Sequence, residues 1–410
     1  MSCIRNVGRR SIPVLHPGAL GNEFGLRGVG GSVSRALSAA IRMDESPKTP
    51  VPVPSPGPDA GTPALPVHRR RPRYSGRNPR RFEEKYKEHD PSRYAGDAEK
   101  IVASGKTLAG THRPILVAEI LGVLRPAPGE RAVDCTLGFG GHASELLARV
   151  CADGARGMLL GLDVDPIELP RTEARLRLAG QGPDTLIVRR SNYAGLVRIL
   201  GELGWEGADV ILADLGVSSM QLDNPERGFT YKQDGPLDLR MNPQRGESAA
   251  QWMDRASLAT LETAFREYAD EPRAREIASG LVAVRGRAPL RRTRALADAL
   301  RLILAGVGRD AQDLAIRRVF QALRIVVNDE FGALDAWLRH LPDCLRPGGR
   351  VAVLTFHSGE DRRVKQAFKS GRDAGLYSEI ARDVIRPGPE ELRSNPRSSP
   401  AKLRWAIRAA

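Results

Sequence analysis

Three stretches of this chain carry residue types and spacings that could do chemistry together. The first is Asp134-Cys135-Thr136-Leu137-Gly138-Phe139-Gly140-Gly141-His142, where glycines follow a short apolar run. Glycine lets the backbone turn sharply and lets a ligand lie against it with no Cβ in the way, while the N–H groups of a following helix face that ligand. The spacing is not the G-x-G-x-x-G of a dinucleotide fingerprint. The second is Asp163, closing the apolar run Met158-Leu159-Leu160-Gly161-Leu162. An acid at the tip of a second strand can accept from both hydroxyls of a ribose. The two signals together suggest an adenosine-containing ligand, against the plainer option that Asp163 and Asp165 only open a turn before Pro166. The third is Asp214-Leu215-Gly216-Val217-Ser218-Ser219-Met220-Gln221, again after an apolar run. Its polar groups suit contacts to a reacting partner, or Ser218 and Ser219 simply cap the next turn.

These residues need a scaffold, and the pattern around them supplies one. Arg131 to Cys135, Met158 to Asp163, Thr185 to Arg190 and Ala208 to Asp214 are short apolar or β-branched runs separated by helical periodicity, as a parallel sheet requires. Ligands of such sheets bind beyond the carboxyl ends of the strands. Gly138 to His142, Asp163, Tyr193 and Asp214 all fall on that rim. From about Met241 to Asp313 the periodicity is helical throughout, a helical insertion entered through the turn-rich segment Gly228 to Met241, whose aromatics and acids argue for function. Arg317 to Asn328 resumes a buried helix, and Val351 to Ser358, after the turn Pro347-Gly348-Gly349-Arg350, reads as the fifth strand. His357 at its tip is read as a hydrogen-bonded structural histidine. A helix is also expected around Thr111 to Leu121, with Thr111 as its cap.

Composition narrows the partner. A formal charge of +14 on 410 residues favours a polyanion, nucleic acid first, although arginine-rich usage also tracks genome composition. The four cysteines (Cys3, Cys135, Cys151 and Cys344) show no C-x-x-C, so neither a zinc site nor a disulfide framework is indicated. No apolar run is long enough for a bilayer. Residues 1–43 hold six arginines and one acid, Glu23, which fits either an organelle transit segment or an overlong start. A proline-rich stretch follows, then a basic run with interleaved aromatics from His68 to Phe82 that suits RNA or a solvated tail.

Several segments together resemble one family: Asp-Cys-Thr-Leu-Gly-Phe-Gly-Gly-His at 134–142, Asp-Leu-Gly-Val-Ser-Ser-Met-Gln-Leu-Asp at 214–223, Glu-Arg-Gly-Phe at 226–229 and Asp-Gly-Pro-Leu-Asp-Leu-Arg-Met at 234–241. Phe-Gln-Ala-Leu-Arg-Ile at 320–325, Phe-His-Ser at 356–358 and Ser-Asn-Pro-Arg-Ser-Ser-Pro-Ala-Lys-Leu-Arg at 394–404 complete the set. They look like the bacterial small-subunit ribosomal RNA cytosine-N4 methyltransferases, the RsmH or MraW family, from Thr111 to Arg408.

Composition sets apart residues 1–110, outside the family pattern, as a disordered basic extension: 1–66 (Pro-rich extension or targeting segment) and 67–110 (basic segment and helix). The resemblance implies a Rossmann-like class I S-adenosylmethionine methyltransferase sheet with a helical inserted domain, at 111–240 and 314–410 (the two parts of the methyltransferase domain) and 241–313 (the substrate-recognition insert). It implies methylation of the N4 amino group of a cytidine in the decoding region of 16S-type RNA within the small subunit. Carried over for S-adenosylmethionine are Gly140, Gly141, His142, Asp163, Tyr193, Asp214 and Gln221, with tyrosine at 193 where the family usually has phenylalanine. Asp214 is the expected contact to the acceptor amine, with Ser218 or Asp238 as the other contacts. Arg291, Arg292, Arg294, Arg397, Lys402 and Arg404 are the expected RNA contacts. Gly359 stands where a leucine commonly follows Phe-His-Ser, and Asp270-Glu271-Pro272 replaces a more usual glycine-acid-acid. No metal or membrane is expected; the compartment is cytoplasmic, or an organelle if residues 1–43 are a transit segment; and the oligomeric state is open, a dimer being one option. The competing functions are a non-catalytic ribosome-assembly factor that binds RNA and an amino-methyltransferase acting on another nucleic acid.

Overall fold

The computed structural model describes residues 114–410. The expected transit, proline-rich and basic segments, and the Thr111 cap, lie outside the described residues. Seven strands form one sheet in the order β3-β2-β1-β4-β5-β7-β6. Strands β1 (Arg131–Asp134), β2 (Met158–Asp163), β3 (Leu186–Arg190), β4 (Ala208–Asp214) and β5 (Leu345–Thr355) are parallel; β7 (Lys402–Arg408) runs antiparallel between β5 and β6 (Tyr377–Ile380). The two antiparallel strands escape a reading of the sequence by apolar runs, since β6 has only four residues and β7 is a mixed Lys-Leu-Arg-Trp-Ala-Ile-Arg.

Alternation along the strands divides the core between two faces. Ala132, Leu159, Val210 and Ala352 face one side, with Ile120 and Leu124 of α1 (Val117–Leu124) and Leu146 and Leu147 of α2 (Gly141–Val150). On the same side, α3 (Glu168–Leu178) adds Leu169 and Leu176. Val133, Leu160, Ile211 and Val351 face the other side, against α4 (Leu196–Glu202) and two later helices, α11 (Glu330–Cys344) and α12 (Ser358–Asp373). Helix α1 starts later than the sequence suggests. Leu116 takes a left-handed conformation at φ 55, and its N–H donates to Glu391 Oε1 at 3.0 Å, so helical geometry begins only at Val117. Strand β5 starts earlier than expected: Leu345 pairs with Ala208, the Pro347-Gly348-Gly349 turn is accommodated by a register shift, and Val351 resumes opposite Ile211.

Between β4 and β5 the described chain is helical: α5 (Ser219–Asp223), α6 (Ala249–Arg255), α7 (Leu258–Ala269), α8 (Ala274–Arg285), α9 (Thr293–Ile303) and α10 (Arg309–Asn328). Their apolar faces build a core of their own around Leu261, Phe265, Ile277, Leu281, Leu300 and Val319. That core also takes in Phe229, Leu237 and Leu239 from the entry loop. Asp329, at φ 48, ends α10 and opens α11, which returns the chain to the sheet. No described helix is long and apolar enough to cross a membrane.

Candidate active site

The carboxyl ends of β1, β2 and β4 are tied to one another by side chains. Thr136, just past β1, accepts from the Asp214 N–H at 2.7 Å through its hydroxyl oxygen, and its own N–H donates to Asp134 Oδ1 at 3.0 Å. Asp163 at the end of β2 accepts from the Gly138 N–H at 2.8 Å through one oxygen and from the Asp165 N–H at 2.9 Å through the other. A carboxylate has about four acceptor positions, so Asp163 keeps capacity beyond these two bonds. Burial raises its pKa, opposed by those same N–H groups.

The glycine turn is held from α3. Thr172 donates to Gly138 O at 2.6 Å, and Arg175 donates to Phe139 O at 2.6 Å while its guanidinium lies 3.6 Å from the centre of the Phe139 ring. Gly140 adopts φ 80, where a side chain is strained, and a Cβ there would stand 3.0 Å from Thr172 Cγ2. At Gly141 a Cβ would stand 2.7 Å from Pro114 Cγ. The turn is therefore bare backbone packed from behind.

His142, in the first turn of α2, places Nε2 3.6 Å from Asp214 Oδ2. Burial disfavours the imidazolium, yet the Asp214 carboxylate, with Asp134 and Glu145, lifts the His142 pKa above its ordinary value. Asp134 is fully enclosed, and burial raises its carboxyl from 3.8 to about 6. His142 Nε2 and Asp214 Oδ1 are both buried polar atoms without a hydrogen-bond partner. Such atoms are rare in folded proteins and call for a partner. The orphaned Asp214 oxygen beside a bare glycine turn, with spare acceptor capacity on Asp163, fits a ligand that brings hydroxyl and ammonium donors.

A profile described as the MraW methylase family matches residues 109–409. The chain belongs to that family. It is 46% identical over 349 residues to "Ribosomal RNA small subunit methyltransferase H 1" of Lachnoclostridium phytofermentans, covering 84% of this chain and 94% of the relative. It is 40% identical to "Ribosomal RNA small subunit methyltransferase H" of Acidithiobacillus ferrooxidans, over 73% of this chain and 96% of the relative. Among solved structures, an rRNA methylase from Streptococcus thermophilus overlays with a TM-score of 0.35 at 11% identity, covering 73% of this chain and 98% of that one.

The remaining residues singled out in this MraW-family chain have definite surroundings. Gln221 is buried with both ends engaged: Oε1 accepts from the Ser218 N–H at 3.0 Å, and Nε2 donates to Asp165 Oδ2 at 2.8 Å. Ser218 caps α5, its hydroxyl accepting from the Gln221 N–H at 3.2 Å. Asp238 is gripped by Arg240, whose Nε and Nη2 donate to its two oxygens at 2.7 Å each. Tyr193 forms the turn after β3, with its ring edge-on to Trp337 at 5.6 Å. Burial, then the carboxylates of Glu330 and Glu360, push its phenol pKa up.

Most of the expected RNA contacts carry carboxylate partners. Arg291 pairs with Asp254, Arg292 with Asp234 at 2.6 Å and Arg397 with Asp223 at 2.7 Å. Lys402 and Arg404 share Asp361, at 3.3 and 2.6 Å. Arg294 meets Asp234 through its backbone N–H at 3.2 Å.

Two features escaped the sequence. Arg227 is buried and donates to Asp165 Oδ2 at 2.7 Å and to the carbonyls of Arg240 and Met241 at 3.2 and 2.8 Å, fastening the entry loop to the rim. Its place in the Glu-Arg-Gly-Phe segment was the only available signal. The second is a buried cluster under Tyr193: Arg324 donates twice to Glu330, at 2.7 and 2.8 Å, and stands 3.9 Å from Glu360, while His357 Nε2 lies 3.0 Å from Glu360. His357 also caps α12, its Nδ1 accepting from the Glu360 N–H at 3.4 Å, in line with a structural histidine. Glu330, His357 and Glu360 group their ligand-type atoms within 4.8 Å, but Arg324 already supplies their countercharge.

Proposed function

We propose that this chain methylates the N4 amino group of a cytidine in the decoding region of small-subunit ribosomal RNA, with S-adenosylmethionine as methyl donor. The observation that carries the reading is the orphaned Asp214 Oδ1 at the tip of β4, beside the bare glycine turn and the His142 imidazole. Membership of a methylase family and relatives named as rRNA small subunit methyltransferases supply the reaction class and the RNA.

The residues divide the work. Gly140 and Gly141 let the donor lie against backbone, Asp163 accepts from its ribose hydroxyls, and Tyr193 offers a ring to its adenine. The sulfonium of the bound donor makes its methyl group electrophilic, so the protein's task is chiefly alignment and exclusion of water. Cytosine N4 is a weak nucleophile because its lone pair is delocalised into the ring. Asp214, accepting a hydrogen bond from the amine, would draw that lone pair out of conjugation and receive the proton released as the N–C bond forms and the donor's S–CH3 bond breaks, leaving a neutral thioether. Ser218 or Asp238 is the runner-up contact to the base, although Ser218 also caps α5 and Asp238 is held by Arg240. The target cytosine must leave its stack to be read on its Watson–Crick edge. Such work belongs where small subunits assemble, in the cytoplasm, or in an organelle if residues 1–43 are a transit segment.

The test is nucleoside mass spectrometry of small-subunit RNA from cells with and without the gene. Loss of N4-methylcytidine on deletion, restored by wild type and not by Asp214→Ala, is the expected result. A modification profile unchanged by deletion would overturn the reading and favour a non-catalytic assembly role or another acceptor.

A further inference from the structure

A row of exposed positive charges lies on α12, away from the arginines that the sequence draws attention to. Lys365, Lys369 and Arg372 follow at spacings of four and three, which puts them on one face of the helix. They line a groove of about 210 Å3, closed on its other side by Arg382, just beyond β6, and by Arg404 of β7. Lys365, Lys369, Arg372 and Arg382 are exposed, and none has a carboxylate partner among the described residues. In the floor, Arg404 is already neutralised by Asp361. The rim of the groove thus holds four uncompensated positive charges, whereas Arg291, Arg292 and Arg397 spend theirs on Asp254, Asp234 and Asp223.

We infer that this groove, between α12 and the β6–β7 edge of the sheet, is the docking site for the phosphate backbone of the RNA substrate. The inference rests on the rRNA reading above. Lys365 to Arg372 rises about 10 Å along the helix at 1.5 Å per residue. That is about three phosphate-to-phosphate steps, taken at the roughly 3.4 Å of axis per charge on one strand of duplex DNA. Such contacts fix register rather than sequence. The helix is a rigid ruler for that purpose. It leaves β5 directly at the site rim, and its first turns are pinned to the insert, where Ser358 donates to Asp270 at 2.6 Å and Arg362 at 3.0 Å. A strand held by Lys365, Lys369 and Arg382 is therefore held at a fixed distance from Asp214.

The test compares the full-length wild type with a triple variant, Lys365→Gln, Lys369→Gln and Arg382→Gln, for binding to small-subunit RNA between 50 and 200 mM salt. A control variant, Arg125→Gln and Arg156→Gln, removes exposed charges at the amino ends of the strands. The triple variant is expected to lose at least tenfold in RNA affinity, with the slope of log K against log salt reduced by about two to three. S-adenosylmethionine affinity, by calorimetry, and kcat at saturating RNA stay within twofold of wild type, and the control binds RNA as wild type does. An unchanged affinity and slope in the triple variant overturns the inference while leaving the rRNA reading intact. So does an equal loss in the control, because net charge then explains the binding. A wild type that neither binds nor methylates small-subunit RNA sinks the function reading, and the groove assignment falls with it.

Discussion

His142 Nε2 and Asp214 Oδ2 lie 3.6 Å apart and join the first turn of α2 to the tip of β4 across the mouth of the glycine turn. The pair sets a pH dependence with a definite sign. The His142 pKa is raised in the fold, because the attraction of Asp214 and its neighbours outweighs the burial that works against the charge. Its stabilising contribution is therefore complete below the unfolded value near 6.5 and is lost as pH rises through the higher folded value. In an NMR titration His142 is expected to titrate above 6.5, and in Asp214→Asn at or below it, since burial then prevails. An Asp214→Asn protein with an unshifted His142 would show that the pair is not coupled.

Asp134 runs the other way for a carboxylate. Held up at about 6 instead of 3.8, it makes the fold bind a proton more tightly than the unfolded chain does. Stability relative to an uncharged side chain is full below pH 3.8 and declines as pH rises through about 6. Asp134→Asn keeps an acceptor for the Thr136 N–H and removes that decline. Urea unfolding at pH 7 should show the variant more stable by roughly 1–3 kcal/mol, with no gain at pH 3.5. Equal stability at both pH values would count against a neutralised Asp134.

The buried knot of Asp165, Gln221 and Arg227 depends on both signs of charge being present. Arg227→Met leaves the buried Asp165 carboxylate with uncharged donors only, the Gln221 amide and the Ile167 and Glu168 N–H groups, a loss of about 3–5 kcal/mol in unfolding free energy. Arg227→Lys should recover little, because lysine lacks the fork that also reaches the Arg240 and Met241 carbonyls. Adding Asp165→Asn to Arg227→Met should restore part of the loss. If the double variant is as weak as the sum of the singles, the pair is not the source of the stability.

Gly140→Ala forces a side chain into φ 80 and toward Thr172. The strain is about 1–2 kcal/mol, and S-adenosylmethionine affinity should fall at least tenfold if the displaced turn is the surface proposed above for the donor. Calorimetry of donor binding, with the melting temperature recorded alongside, checks this. A variant that melts lower but binds the donor unchanged would move the donor away from Gly140.

Much of this geometry is written in local sequence, and some of it is not. Apolar runs ending in Asp134, Asp163 and Asp214 announce strands whose tips share a rim, because alternation and length are local properties. Strand β7 is invisible to that method. Two of its charged positions, Lys402 and Arg404, become tolerable through Asp361, 41 and 43 residues earlier on α12. The bonds of Asp165 to Gln221 and Arg227 span 56 and 62 residues and likewise leave no local trace. Leu239 is the clearest case. No sequence rule puts a bulky side chain at φ 65, and it stands there because Arg227 O accepts from its N–H at 3.2 Å and Asn328 donates to its carbonyl at 2.8 Å.

The position of the helical insert also shapes how the chain is made. Strand β4 finds its neighbour β1 early in synthesis, but its other edge waits for β5, which lies beyond all of α5 to α11. At 5–20 residues per second the ribosome needs on the order of ten seconds to cross that interval. For that time a nascent chain carries an open, fully apolar edge, Val210-Ile211-Leu212-Ala213, of the kind that recruits foreign strands. Slowing elongation within the insert should therefore raise the chain's dependence on chaperones that shield nascent hydrophobic edges.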